Sequence, residues 1–163
     1  NIDYNNTGIT HSMITSLKEM NHEDTIVVYS DILFNKKLIK KILKKNFKNL
    51  TLPILKNWSK VWNKRKQNIL DDAESLITKN NRLVQIGQKI TNINHTKYQY
   101  MGIVYVPKKF IKILIKFYEE MDNKIDMTTY INFLLSKKII VETSIYSGKW
   151  YEFDTLRDLK NFK

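Results

Sequence analysis

The sequence predicts an α/β fold, a mainly parallel mixed sheet flanked by helices, in a single domain over residues 1–163. Three observations carry this expectation. Short β-branched and aromatic runs alternate with segments whose apolar residues recur at helical spacing. Helix-start and turn residues separate them, among them Pro107, Asp126, Thr155, the Asn80-Asn81 pair and Ser147-Gly148. A chain of 163 residues, 42% hydrophobic and 12% aromatic, is also long and apolar enough to bury a core.

In chain order, Ile9, Met13, Leu17 and Met20 repeat at helical intervals, predicting a helix over 7–20. The run TIVVYS at 25–30 has the form of a strand buried on both faces. Asp31 follows it, and then a helix with Leu38, Ile39, Ile42 and Leu43 on one side and six lysines from Lys36 to Lys45 on the other. A strand at 50–55 contains Pro53, which predicts an edge position or a bulge because proline lacks the N–H. Trp58 and Trp62, four apart, suit a short helix over 58–67. Segments 74–79 and 83–90 flank Asn80-Asn81 as a hairpin. A strand over 98–106 leads to Pro107 as the first residue of a helix reaching about 121. Asp126 caps a helix through 136, strands follow at 139–146 and 150–153, and Thr155 caps a closing helix. The chain opens on a helix with no strand before it, as though the first βαβ units of such a fold were absent.

Composition narrows the function. No run reaches the roughly 20 apolar residues of a membrane span, and no signal-peptide pattern opens the chain. With no cysteine there are no disulfides or thiolate metal sites. A cytoplasmic protein without a membrane partner is the default expectation. The net charge of +12 and pI near 9.7 invite a nucleic-acid reading. Of 28 basic residues, however, the arginines are Arg65, Arg82 and Arg157, and nucleic-acid binders favour arginine for bidentate contacts. Scattered lysines read more simply as solvated faces. A positive field still favours anionic small substrates. His11, His22 and His95 show no metal spacing.

Ligands of open α/β sheets bind beyond the carboxyl ends of the strands. Asp31 and Asp154 each follow a predicted strand, and two such carboxylates could share one Mg²⁺, a hard ion that takes oxygen ligands. Each also has a purely structural reading, Asp154 as a helix cap and Asp31 as a turn residue.

The motifs resemble a known family. Tyr29-Ser30-Asp31-Ile32 is similar to the strand-end aspartate motif of nucleotidyltransferases. Asn57-Trp58, Trp62, Lys64-Arg65, Asn68 and Asp71-Asp72-Ala73-Glu74 resemble a block of the phosphocholine- and 2-aminoethylphosphonate-cytidylyltransferase-like proteins. Gln99-Tyr100-Met101-Gly102, Asp126-Met127-Thr128-Thr129 and Trp150-x-Glu152-x-Asp154 continue the match in order.

The resemblance implies a nucleotide-diphospho-sugar transferase-like fold. It also implies an enzyme joining CTP, or another NTP, to a small phosphorylated or phosphonylated amino alcohol with release of pyrophosphate. In that reading Asp31 and Asp154 hold Mg²⁺ and Ser30 meets the nucleotide. Gly102, Tyr100, Glu152, Trp150 and Asp72 meet the acceptor, with aromatic faces and carboxylates suiting a choline or amine cation. Trp150 is expected beside Glu152 and Asp154 on one cleft wall, with Phe153 turned into the core. The family's glycine-rich phosphate loop has no counterpart in these 163 residues, and Gly8 in Asn6-Thr7-Gly8 departs from the family's Thr-Asn pair. The expectation is therefore the C-terminal two-thirds of such a domain, inactive alone, with room for a homodimer. A sugar-1-phosphate nucleotidyltransferase is the alternative within the class. A basic nucleic-acid-binding module or a non-catalytic fragment is the alternative outside it.

Overall fold

The computed structural model describes residues 1–20, 22–63 and 69–162. In order they form α1 (Ile9–Glu19), β1 (Thr25–Val28), β2 (Ile32–Phe34), α2 (Lys37–Lys45), β3 (Leu50–Leu55), α3 (Trp58–Trp62), β4 (Glu74–Lys79) and β5 (Arg82–Lys89). A 3-10 turn (Ile93–His95) leads to β6 (Gln99–Tyr100), β7 (Ile103–Val106), α4 (Lys108–Tyr118), α5 (Met127–Ser136), β8 (Val141–Tyr146), β9 (Trp150–Glu152) and α6 (Leu156–Asn161). The Lys64-Arg65 and Asn68 positions of the family block, and the expected end of the helix after Trp62, lie outside the described residues.

The α/β architecture is as expected, but the mixed sheet is mainly antiparallel and not mainly parallel; its strand order is β1-β7-β3-β8-β5-β4, with β6 pairing with β3 next to β7 and a small β2-β9 ribbon beside it. Parallel pairing sits at the centre, between β3 and β8. Outward from it the described pairs, β1-β7, β3-β7, β5-β8 and β4-β5, are antiparallel. Helices cover both faces. On one side α1, α4 and α5 pack Leu17, Ile111, Leu114, Tyr130 and Leu134 onto β3, β7 and β8. On the other, α2 and α3 pack Leu38, Ile42, Trp58 and Trp62 against Ile103, Tyr105 and Trp150. Each fully buried aliphatic side chain of these layers contributes about 1.5–3 kcal/mol relative to exposure.

The strand buried on both faces is not the TIVVYS segment. That run ends as β1 at Val28, lies at the end of the strand order, and leaves Val28 exposed. Its short length and single partner, β7, give it one covered edge. The doubly buried strands are β3 and β7. In β7, Ile103 and Tyr105 face one core while Val104 and Val106 face the other, the period of two expected of a strand.

Pro53 sits in β3, a central strand, so of the two expectations the edge position fails and an irregularity in the ladder, here in the facing strand, holds. The strand expected over 98–106 supplies the reason. It breaks at Met101-Gly102 into β6 and β7. On that side of β3, Thr51 pairs with Tyr105 of β7, and pairing resumes at Ile54 with Tyr100 of β6. Pro53 therefore faces the interruption, the kind of place where a strand tolerates a residue without an N–H.

Local signals held closely. Asn80 and Asn81 both adopt positive φ, 52° and 58°, the requirement of a type I′ hairpin turn. The α2 lysines lie opposite the fully buried Leu38 and Ile42, although Leu43, expected on the apolar side, is exposed. Pro107 is the N-cap of α4 and not its first helical residue, and the helix ends at Tyr118. Proline has no side-chain acceptor, so the cap comes from Asp24. Its Oδ1 takes the Lys108 N–H at 2.8 Å and its Oδ2 takes the Tyr105 hydroxyl at 2.6 Å.

Candidate active site

The loop 29–31 between β1 and β2 is the frame of the site, and it is tied down on both flanks. The Tyr29 N–H donates to the Gly102 carbonyl at 2.9 Å, and the Phe153 N–H donates to the Asp31 carbonyl at 2.9 Å. The second bond continues the antiparallel β2-β9 register, in which Ile32 lies opposite Glu152. The segments carrying the two expected metal-ligand aspartates are thereby neighbours, although Asp31 follows a loop and not directly a strand.

Gly102 holds the other flank. Its φ of +68° lies in the left-handed region, and a Cβ there would come within 2.9 Å of the Tyr29 ring. The interruption between β6 and β7 thus both accommodates Pro53 and seats Tyr29. The Tyr29 ring meets Tyr100 edge-on, centroids 5.8 Å apart. Burial, first of all, pushes the Tyr29 phenol up, and the charges of Glu152, Asp126 and Asp31 around it act in the same direction.

Beside this frame opens a cleft of about 470 Å³, within the size range of small-molecule sites. Tyr29, Trp62, Asp72, Glu74, Gln99, Tyr100, Gly102, Asp126, Thr128, Glu152 and Asp154 are among its walls. Five carboxylates line it, and none of its described lining residues is basic, in a chain of net charge +12. Among the described residues the lining has the sign opposite to that of the molecule, which suits a cationic group or a metal ion at one end of a ligand.

Of the residues expected from the sequence, Asp154, Glu152, Gly102, Tyr100 and Asp72 meet in this cleft. Asp31 does not line it and stands exposed just outside, tied to Phe153 by the backbone. Ser30 lies in an adjoining groove between α1 and β1, on the other side of Tyr29. Asp154 is not the cap of α6. Thr155 takes that role in a reciprocal capping box with Asp158.

Trp150 departs from expectation. It is fully buried in the α2-α3 core, its indole N–H donates to the Met101 carbonyl at 3.1 Å, and it does not line the cleft. An indole with its one donor satisfied by a buried carbonyl is a packing residue. Phe153, expected in the core, instead packs its ring on Phe162, the C-cap of α6, centroids 5.3 Å apart. Trp58 and Trp62 stack edge to face as a packing pair, with Trp62 also reaching the cleft.

The cleft also takes in Glu74, which the sequence offered either as help with a cation or as a solvated loop residue, and Gln99 and Asp126, to which it gave no binding role. Glu74, Gln99 and Asp126 come from β4, β6 and the N-terminus of α5. Asp126 was legible as a helix cap, and it is one: its Oδ1 accepts the Thr129 N–H at 2.6 Å and the Thr128 hydroxyl at 3.1 Å. Burial raises the Asp126 pKa, but those hydrogen bonds outweigh it and hold the carboxyl below its ordinary value. Glu74 goes the other way. Burial first and the Asp126 charge second raise its pKa, with the Thr128 hydroxyl opposing.

Asp154 and Asp31, on segments joined by the Phe153–Asp31 backbone bond, are the residues that would offer Mg²⁺ hard oxygen donors. Among the described residues no group of three or more acidic, histidine or cysteine side chains could hold a metal. Mg²⁺ is commonly held by one or two carboxylates together with substrate phosphates, so two such donors would suffice in number.

Comparison with known proteins agrees with this architecture. No family profile matches the chain. CTP:phosphoglutamine cytidylyltransferase of Campylobacter jejuni is 27% identical over 177 aligned positions, covering 98% of this chain and 69% of that protein. The inositol-1-phosphate CTP transferase from T. maritima superposes with a TM-score of 0.72 at 19% identity, covering 94% of this chain and 58% of that one. The chain is thus similar in sequence to a cytidylyltransferase and shares the fold of nucleotidyltransferases. The UDP-glucose pyrophosphorylase from Acinetobacter baumannii shares the fold at a TM-score of 0.62 and 15% identity, covering 94% of this chain and 54% of that one. The chain thus spans somewhat over half the length of the solved structures it matches. No described helix is long and apolar enough to cross a membrane.

Proposed function

We propose that this chain carries the acceptor site of a Mg²⁺-dependent cytidylyltransferase, which joins CTP to a small phosphorylated or phosphonylated amine and releases pyrophosphate. The observation that supports it is the acidic, aromatic-edged cleft closed by Glu152 and Asp154, in a chain whose relative from C. jejuni is named for CTP and a phosphorylated amino acid. A phosphate or phosphonate oxygen of the acceptor attacks the α-phosphorus of CTP. The bond from that phosphorus to the bridging oxygen breaks, and pyrophosphate leaves with the electron pair. No protein nucleophile takes part, so the residues act by positioning and electrostatics. Asp154 and Asp31 would hold Mg²⁺, which neutralises phosphate charge when bound. Gly102 lets the backbone approach the acceptor, while Tyr29 and Tyr100 exclude water from its organic end. The net positive charge draws the triphosphate in. In this reading the protein works in the cytoplasm and nucleic acid has no role.

The test is pyrophosphate release by the protein with each of four NTPs against a panel of acceptors. Release with CTP and aminoalkyl phosphates or phosphonates is expected. Turnover confined to hexose 1-phosphates would sink the assignment in favour of a sugar nucleotidyltransferase.

A further inference from the structure

We propose that a basic pocket at the carboxyl ends of β3 and β8 is a second binding site, one that takes a phosphate group and is separate from the acidic cleft. The proposal does not depend on the chemistry assigned to that cleft.

Position is the first observation. β3 and β8 are the parallel pair at the centre of the sheet, and ligands of open α/β sheets bind beyond the carboxyl ends of such strands. The Lys56 N–H donates to the Tyr146 carbonyl at 2.8 Å, so the two strands end side by side. Past that bond the chain continues into Asn57 and α3 from one strand and into the turn 147–149 from the other. Both walls contribute to a pocket of about 480 Å³, with Asn57, Lys60, Ser147, Gly148, Lys149 and Tyr151 in its lining. That volume is within the range of small-molecule sites.

The turn presents its backbone. Gly148 lies against the Tyr146 phenol, where a Cβ would collide with the ring, and the Tyr146 hydroxyl donates to the Lys149 carbonyl at 3.5 Å. These contacts fold the turn over a buried ring. Among the described residues no acceptor takes the N–H of Ser147, Gly148 or Lys149. Successive N–H groups of a turn can cradle an anion.

Charge agrees with the backbone. Lys60 and Lys149 are the charged residues of the described lining, and among the described residues neither forms an ion pair. The acidic cleft has the reverse character, and β9 separates the two. Tyr151 faces the pocket and Glu152 faces the cleft, the alternation of a strand. A phosphate dianion meets two ammonium groups and the N–H groups of the turn here, all of them donors. The pocket is larger than a phosphate, and Val61 and Tyr151 could cover an organic body attached to it.

The test is an amide chemical-shift titration of the protein with inorganic phosphate, CMP and cytidine at pH 7.5 and about 0.15 M salt. Phosphate and CMP should shift the Ser147, Gly148 and Lys149 amides saturably, and cytidine should not. Tighter binding of CMP than of phosphate assigns the site to an organic phosphate, and equal binding assigns it to the free ion. Lys60→Gln with Lys149→Gln should weaken either ligand about 10-fold, the scale of losing hydrogen bonds to a charged group. Lys112→Gln with Lys116→Gln removes the same charge from the exposed side of α4, on the opposite face of the sheet. That control should change affinity by less than about twofold, because salt screens charges at such a distance. Circular dichroism checks that both variants fold. Shifts that do not saturate, or that cytidine reproduces, overturn the proposal in the wild type alone. So does an equal loss of affinity in the two double variants, which would reduce the effect to net charge.

Discussion

The Phe153 N–H donates to the Asp31 carbonyl at 2.9 Å, and this bond joins the two segments that carry Asp31 and Asp154. If both carboxylates serve one Mg²⁺, Asp31→Asn and Asp154→Asn should each lower pyrophosphate release about 10²–10³-fold, the scale of losing one preorganised electrostatic contact. Each should also raise the Mg²⁺ concentration needed for half-maximal rate, with circular dichroism unchanged. A Mg²⁺ titration curve identical to wild type in either variant would remove that residue from the metal site.

Gly102→Ala tests the frame of the site. The new Cβ meets the Tyr29 ring at 2.9 Å and forces an L-residue into φ +68°. A strained left-handed residue costs about 1–3 kcal/mol. For a domain of this size that lowers the melting temperature by about 2–4 °C per kcal/mol. Tyr29 fluorescence or NMR shifts should change with it. An unaltered melting temperature would mean that the interruption between β6 and β7 relaxes freely.

Glu74 should show its repulsion as a pH dependence. Its folded pKa lies above the ordinary 4.5, through burial first and the Asp126 charge second, so the folded state binds the extra proton. Stability therefore falls as pH rises from the ordinary value through the raised one. Glu74→Gln removes that loss. The variant should melt higher than wild type at pH 7 and converge with it below about pH 4. A variant that melts lower at pH 7 would show that Glu74 is compensated in the folded protein.

Asp24 gives the opposite sign. Hydrogen bonds from Tyr105 first and from the Lys108 N–H second lower its pKa. Its contribution is present above the unfolded carboxylate value and is lost as pH falls through the lowered folded value. Asp24→Ala should cost about 0.5–2 kcal/mol near neutrality, the usual worth of a helix cap, and toward the low end because the group is largely exposed. Urea denaturation at pH 7 and pH 2.5 measures the difference, which should shrink at the lower pH.

Trp150→Phe separates packing from binding. It leaves the buried Met101 carbonyl without its donor, a cost of about 1–3 kcal/mol. Acceptor affinity should be unchanged, because the ring is in the core. A weakened acceptor with unchanged stability would return Trp150 to the cleft.

The features that sequence alone determined about this protein are those set by neighbours a few residues apart. The Asp126 cap, the Thr155 cap, the paired positive φ at Asn80-Asn81 and the lysine face of α2 depend on contacts within about one turn, so local residue chemistry suffices. The ordered motifs also sufficed to bring Tyr100, Gly102, Glu152 and Asp154 to one site. Only the tertiary structure decided which strands would be central, because strand pairing is chosen by how both faces are covered. Thus Pro53 lies inside the sheet opposite a break that no local pattern announces. The same reason put Trp150 in the core. Alternation along β9 could place it with Glu152, but the space beneath α2 and α3 was there to be filled by an indole with a carbonyl within reach. Gln99, Glu74 and Asp126 are separated by 25 or more residues and converge only because β4, β5, β6 and the start of α5 pack together. The ordered motifs contain all three, but that they line one cleft is a property of packing.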